Sequence, residues 1–150
     1  MKSLFDKAAG NEILSRVEKI QPESTRQWGK MSVSQMMAHC SAQLQTAVGD
    51  SKPKRSLYGR LIGPLVRGLV SNEKPFFKNS PTDPSFVVKE NNRVFAKEKT
   101  MLSGLIKRFI EGGNSGVTVH PHPFFGKLKA EEWGTLTYKH LDHHLRQFGV

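Results

Sequence analysis

Apolar residues in this chain recur at three- and four-residue steps and almost nowhere alternate. That pattern restricts the chain to helices packed on helices. Four segments carry it. Leu14, Val17 and Ile20 share one face of a helix expected over residues 11–20. Pro22 ends that helix, because proline disfavours helix in the residue before it. Val33, Met36, Met37, Cys40, Leu44, Ala47 and Val48 form a second stripe. It starts near Ser32 or Ser34, either of which can cap free backbone N–H groups, and Gly49 closes it. Val94, Met101, Leu102, Leu105, Ile106 and Phe109 give the inward face of a long helix over roughly residues 89–111, stopped by Gly112, Gly113 and Asn114. The fourth helix spans residues 131–148, with Trp133, Leu136, Thr137, His140, Leu141, His144, Leu145 and Phe148 on one side. The strand-like run Val117-Thr118-Val119 is too short to found a sheet.

Residues 56–70 read as a shorter, proline-broken amphipathic helix, with Arg60 and Arg67 seven apart and hence on one side. A turn-rich loop with Pro75, Pro81 and Pro84 follows it. The expected fold is therefore all-α: one domain over residues 1–150, a four-helix bundle with an additional short basic helix between the second and third main helices. The long connection at that point suggests a crossover rather than a plain up-down-up-down path.

Two members of the last stripe are histidines. His140 and His144 stand one turn apart on the face expected to look inward, and a buried imidazole needs a partner for its ring nitrogens. A divalent metal would satisfy both, since an i, i+4 pair on one helix face suits a single ion. His143 competes for the role but flanks the stripe on its polar side, as does Asp142. A third ligand is needed to hold the ion while leaving a position open for water or substrate. The remaining histidines are His39, on the second helix, and His120 and His122, in the loop before the last helix. A helix holds a ligand more rigidly than a loop does, which favours His39. His122 is then expected at the mouth of the pocket. Cys40 adjoins His39 but lies in the apolar stripe, where a free cysteine packs as a small hydrophobe. Trp28 and Trp133 are expected as core anchors, and Phe124 and Phe125 as packing for the start of the last helix.

The net charge of +10 is concentrated in the middle of the chain. Residues 51–110 hold thirteen Lys/Arg against four Asp/Glu, whereas residues 1–50 (six against five) and 111–150 (four against four) are balanced. A basic middle can be a solvated face. It can also attract nucleic acid, an anionic surface or an anionic small molecule, and Arg60 and Arg67 are the candidates for that last contact. No recognisable nucleic-acid module accompanies the charge, so nucleic acid is not favoured as a partner. No apolar run approaches the roughly 20 residues of a membrane span. The single cysteine and an N-terminus without a hydrophobic leader fit a cytoplasmic protein.

Trp28-Gly29-Lys30-Met31, the run Gln35-Met36-Met37-Ala38-His39, and the block from Tyr138 to Phe148 together resemble the DinB/YfiT-like superfamily of metalloenzymes. The resemblance extends from about Arg26 to Val150, and the C-terminal block is its most specific part. It implies a four-helix bundle holding one divalent metal (zinc, nickel, iron or manganese) through His39, His140 and His144. Relatives include S-transferases that use bacillithiol or mycothiol and a mycothiol-dependent maleylpyruvate isomerase. The resemblance thus implies a small-molecule substrate, with a low-molecular-weight thiol as co-substrate, and either thiol transfer or hydrolysis. The basic segment 52–70 departs from the simplest members and bears on the pocket mouth. The rival reading is a non-catalytic basic binding module with structural histidines. A homodimer through bundle faces is compatible with either.

Overall fold

Helix signals dominate because the chain supplies caps as well as stripes. In the computed structural model, which describes residues 2–70, 72 and 74–150, the helices are α1 (Lys7–Lys19), α2 (Val33–Ala47), α3 (Leu57–Val66), α4 (Phe95–Gly112) and α5 (Ala130–Gln147). Single 3-10 turns cover Arg67–Leu69, Pro84–Phe86 and Gly113–Gly116, and no strand is formed among the described residues. Ser32 and Gln35 start α2 by a reciprocal cap: the Ser32 hydroxyl accepts from Gln35 N–H at 3.2 Å, and the Gln35 side chain accepts from Ser32 N–H at 2.9 Å. Ser56 caps α3 through Gly59 N–H at 2.9 Å. Glu132 caps α5 by accepting from Lys129 N–H at 2.7 Å.

Two boundaries differ from those expected. α1 begins four residues early, at Lys7, because Ala9 and Gly10 are buried and extend the inward face. A side chain at Gly10 would collide with Ile110 of α4, so the glycine lets those two helices approach. α4 begins later than expected, at Phe95. The preceding residues stay out of the helix, tied to α2 where Gln35 Nε2 donates to Glu90 O at 3.3 Å and Asn91 Oδ1 at 3.0 Å. Val94, now outside the helix, is 63% exposed rather than inward-facing, and Met101 is also exposed.

α1 packs against α4 and α5, and so does α2. Sequence neighbours α1 and α2 make no close backbone approach to each other; each is bridged by the two later helices. Trp133, Phe109, Met36, Met37, Ile106 and Leu141 are among the fully buried side chains where these helices meet. Trp28, by contrast, is only half-buried. Asp142 pairs helices: its carboxylate accepts from Arg16 of α1 at 2.8 Å, and the same guanidinium donates to the Val150 carbonyl at 3.0 Å.

α3 lies outside this arrangement. Its buried residues are Gly59 and Gly63, which rest on the loop of residues 123–125. A Cβ at Gly59 would stand 2.6 Å from the Pro123 carbonyl oxygen, and one at Gly63 would be closer still to that of Phe124. The missing side chains are what allow the helix to sit on bare backbone.

Candidate metal centre

His39 points inward from the middle of α2, and His140 and His144 from the last two turns of α5. His39 and His144 are buried; His140 is partly exposed, with its Nδ1 fully enclosed. One ring nitrogen from each of the three lies within 4.8 Å of the others. Among the described residues, this is the group of His, Cys, Asp or Glu side chains close enough together to hold a metal ion.

The hydrogen bonds decide which nitrogens are free. His39 Nδ1 stands 2.8 Å from the Phe86 carbonyl oxygen, which can only accept, so Nδ1 carries the proton and Nε2 the lone pair. His144 Nδ1 stands 2.8 Å from Gln147 Oε1. The Gln147 amide is oriented at its other end, where Nε2 donates to the Trp28 carbonyl at 2.8 Å. His144 Nδ1 is therefore also the protonated nitrogen. Carbonyl-held Nδ1–H groups of this kind orient metal-binding imidazoles in general.

His39 Nε2 meets His140 Nε2 at 2.9 Å, while His140 Nδ1 is buried without a partner. If His140 donates from Nε2, its Nδ1 lone pair is stranded. If the proton is on Nδ1, two lone pairs face each other. A cation held by the Nε2 atoms would remove the lone-pair repulsion, with the proton then on the unpartnered Nδ1. Nitrogen ligands on a tetrahedral zinc sit roughly 3.3 Å apart, within the span of these three. Burial pushes all three imidazoles below the usual histidine pKa. His140 is lowered further by its histidine neighbours, and His144 falls to about 3. They are thus neutral near pH 7, the form that binds metal.

A cavity of about 600 Å³ opens over the three rings. Tyr58, Ile62 and Val66 of α3 line it on one side, and Phe86, Phe124 and Phe125 on another. The two phenylalanines of the 123–125 loop therefore serve the cavity wall as well as the packing expected of them. An adjoining recess of about 440 Å³ shares Trp28, Phe76 and His143 with the cavity and adds Lys2, Lys78 and Arg146.

His122 lines the cavity from a buried position rather than an open mouth. Its Nδ1 accepts the N–H groups of Phe124 and Phe125 at 3.1 and 3.2 Å, so Nε2 carries the proton. Burial, assisted by Arg55, pushes its pKa down to about 3 against the opposing pull of Asp83. Arg60 and Arg67 are not among the cavity-lining residues. Arg60 is exposed, and Arg67 is bonded to Glu132 at 2.9–3.3 Å. His120 is exposed. Cys40 is buried beside Met36, and burial raises its thiol far above the usual range.

Three contributors were not singled out from sequence. Gln147 follows His144 by three residues, a spacing that places it on the same helix side and could have drawn notice. Gln43, one turn beyond His39, lines the cavity with Oε1 unpartnered while Nε2 meets Thr137 Oγ1 at 3.4 Å. Whichever way that amide is turned, one polar end lacks a partner. The Phe86 carbonyl has no side-chain signature at all.

Residues 2–149 match the family described as "Protein of unknown function (DUF1569)". The chain belongs to that family. No curated protein and no solved structure matches it. Among the described residues no helix is long and apolar enough to cross a membrane.

Proposed function

We propose that this DUF1569 protein is a divalent-metal-dependent enzyme acting on a small molecule, by thiol S-transfer or hydrolysis. Its scaffold on this reading is a single DinB-like four-helix bundle of α1, α2, α4 and α5, with α3 added as a cover. The observation that carries the proposal is the pair of carbonyl-bound imidazoles, His39 and His144, whose free Nε2 atoms converge with an under-bonded His140.

His39, His140 and His144 hold the ion, which is zinc, nickel, iron or manganese by ligand type. Three neutral imidazoles leave its double charge uncompensated, so when bound it acidifies a water or thiol beside it. The chain's own residues do the rest. The aromatic walls exclude bulk water and favour an apolar substrate body, in a cavity whose size suits a small organic ligand. His122 Nε2–H is a neutral donor toward that substrate, and Gln43 offers it the unpartnered end of a carboxamide. Asp142 is committed to Arg16 and takes no part.

Elemental analysis of protein purified without a metal-binding tag tests the centre. About one metal per chain, lost in His39→Ala, His140→Ala and His144→Ala, is the expected result. Wild type that is metal-free and takes up neither added zinc nor added nickel would sink it. Turnover of an electrophile panel with and without a low-molecular-weight thiol then separates transfer from hydrolysis.

A further inference from the structure

α3 is apolar on both sides although it lies at the surface. Its inner arc, Tyr58, Ile62 and Val66, lines the cavity, and Gly59 and Gly63 touch the loop beneath. Its outer arc is Leu57, Leu61 and Leu65, which are 78%, 74% and 80% exposed. At about 100° per residue these three leucines fall within an arc of roughly 80°. Such a contiguous exposed stripe marks an interaction surface rather than chance exposure. At the cavity rim, Phe77 and Val87 are likewise exposed.

Charge selects the occupant. Residues 51–72 contain Lys52, Lys54, Arg55, Arg60 and Arg67 and no Asp or Glu. Among the described residues, the acids bonded to this segment have other partners too or are already paired: Asp83 accepts from Ser56 and Ser85, and Glu132 binds Arg67. Lys52, Lys54 and Arg60 remain exposed, Arg60 on the helix beside the leucines. A second copy packed two-fold on the same stripe would set Arg60 near Arg60, which is repulsive. An apolar stripe edged by exposed cations instead matches the boundary between acyl chains and anionic headgroups.

We infer that α3 docks this protein on an anionic lipid surface. Leu57, Leu61 and Leu65 enter the acyl boundary, and Lys54 and Arg60 meet headgroup phosphates. The docking stands whether or not the histidines hold a metal. The supply of an apolar substrate from the lipid to the cavity under α3 rests on the function proposed above.

Flotation of the full chain with phosphatidylcholine vesicles, with and without phosphatidylglycerol, tests the docking. Wild type is expected to float with the anionic vesicles in a salt-sensitive manner and to stay behind with the zwitterionic ones. Leu61→Glu with Leu65→Glu should lower binding at least about tenfold, and Arg60→Gln roughly fivefold. Helicity and metal content, measured on the same variants, should match wild type, so a failed docking is distinguishable from a failed metal centre. Three results would overturn the inference. Wild type fails to bind anionic vesicles; the leucine variant binds as well as wild type; or wild type is a dimer that Leu61→Glu dissociates, which would make a second copy the occupant.

Discussion

Replacing Gln147 by Met separates orientation of the proposed metal centre from mere packing. Gln147 is 3% exposed; Oε1 accepts from His144 Nδ1 and Nε2 donates to the Trp28 carbonyl, both at 2.8 Å. Methionine keeps the length and approximate volume but removes both bonds. His144 is then free to carry its proton on Nε2, the nitrogen needed for the ion. Loss of such an outer partner typically weakens metal affinity about 10- to 100-fold, or roughly 1.4–2.8 kcal/mol. The orphaned Trp28 carbonyl and His144 N–H should cost the metal-free fold roughly 1–3 kcal/mol each at most. Gln147→Glu makes the contrast. A carboxylate still accepts from Nδ1–H but opposes the Trp28 carbonyl, so it should lower fold stability while keeping metal affinity within several-fold of wild type. Competition with a chromophoric chelator measures affinity, and urea unfolding of the chelator-treated protein measures stability. Met within about twofold of wild type, or Met and Glu weakened equally, would refute the orienting role.

Other consequences are open to direct measurement. In metal-free protein, His122 and His144 have folded pKa values near 3, set first by burial, below the unfolded value of about 6.5. The unfolded chain therefore takes up protons first as pH falls. Their stabilisation is complete above about pH 6.5 and is lost progressively as pH falls toward about 3. Urea midpoints unchanged between about pH 7 and pH 5 would contradict this. Gly63→Ala forces a methyl group against the Phe124 carbonyl, so α3 should lift from its loop at a cost of about 1–3 kcal/mol. Faster hydrogen exchange confined to residues 57–66 is the expected readout, and unchanged protection would count against the close contact. Cys40, buried and with its thiol pushed upward, should resist alkylation in the native state and react on unfolding. Rapid native labelling would reopen a chemical role for it.

Local pattern made much of this molecule legible. Helical period put His140 and His144 on the inward side of α5, and a serine cap was expected at the start of α2, at Ser32 or Ser34, of which Ser32 serves. The same period misjudged Val94, because a valine at the right spacing carries no record of where the preceding loop is tied down. It also carried no sign of the Arg67–Glu132 pair, whose members lie 65 residues apart.

By itself, the sequence determined the all-helical character, the helix faces and the one-turn spacing of two histidines. These depend on residues three or four apart, whose relative directions are set by helix geometry. Only the tertiary structure decided that His39 meets His140 across 101 residues, that a backbone carbonyl at Phe86 and the Gln147 amide turn two imidazoles inward, and that α3 covers the cavity with leucines to spare outside. Packing of one helix against another, and acceptance by a main-chain oxygen that every residue possesses, leave no periodic trace in the chain.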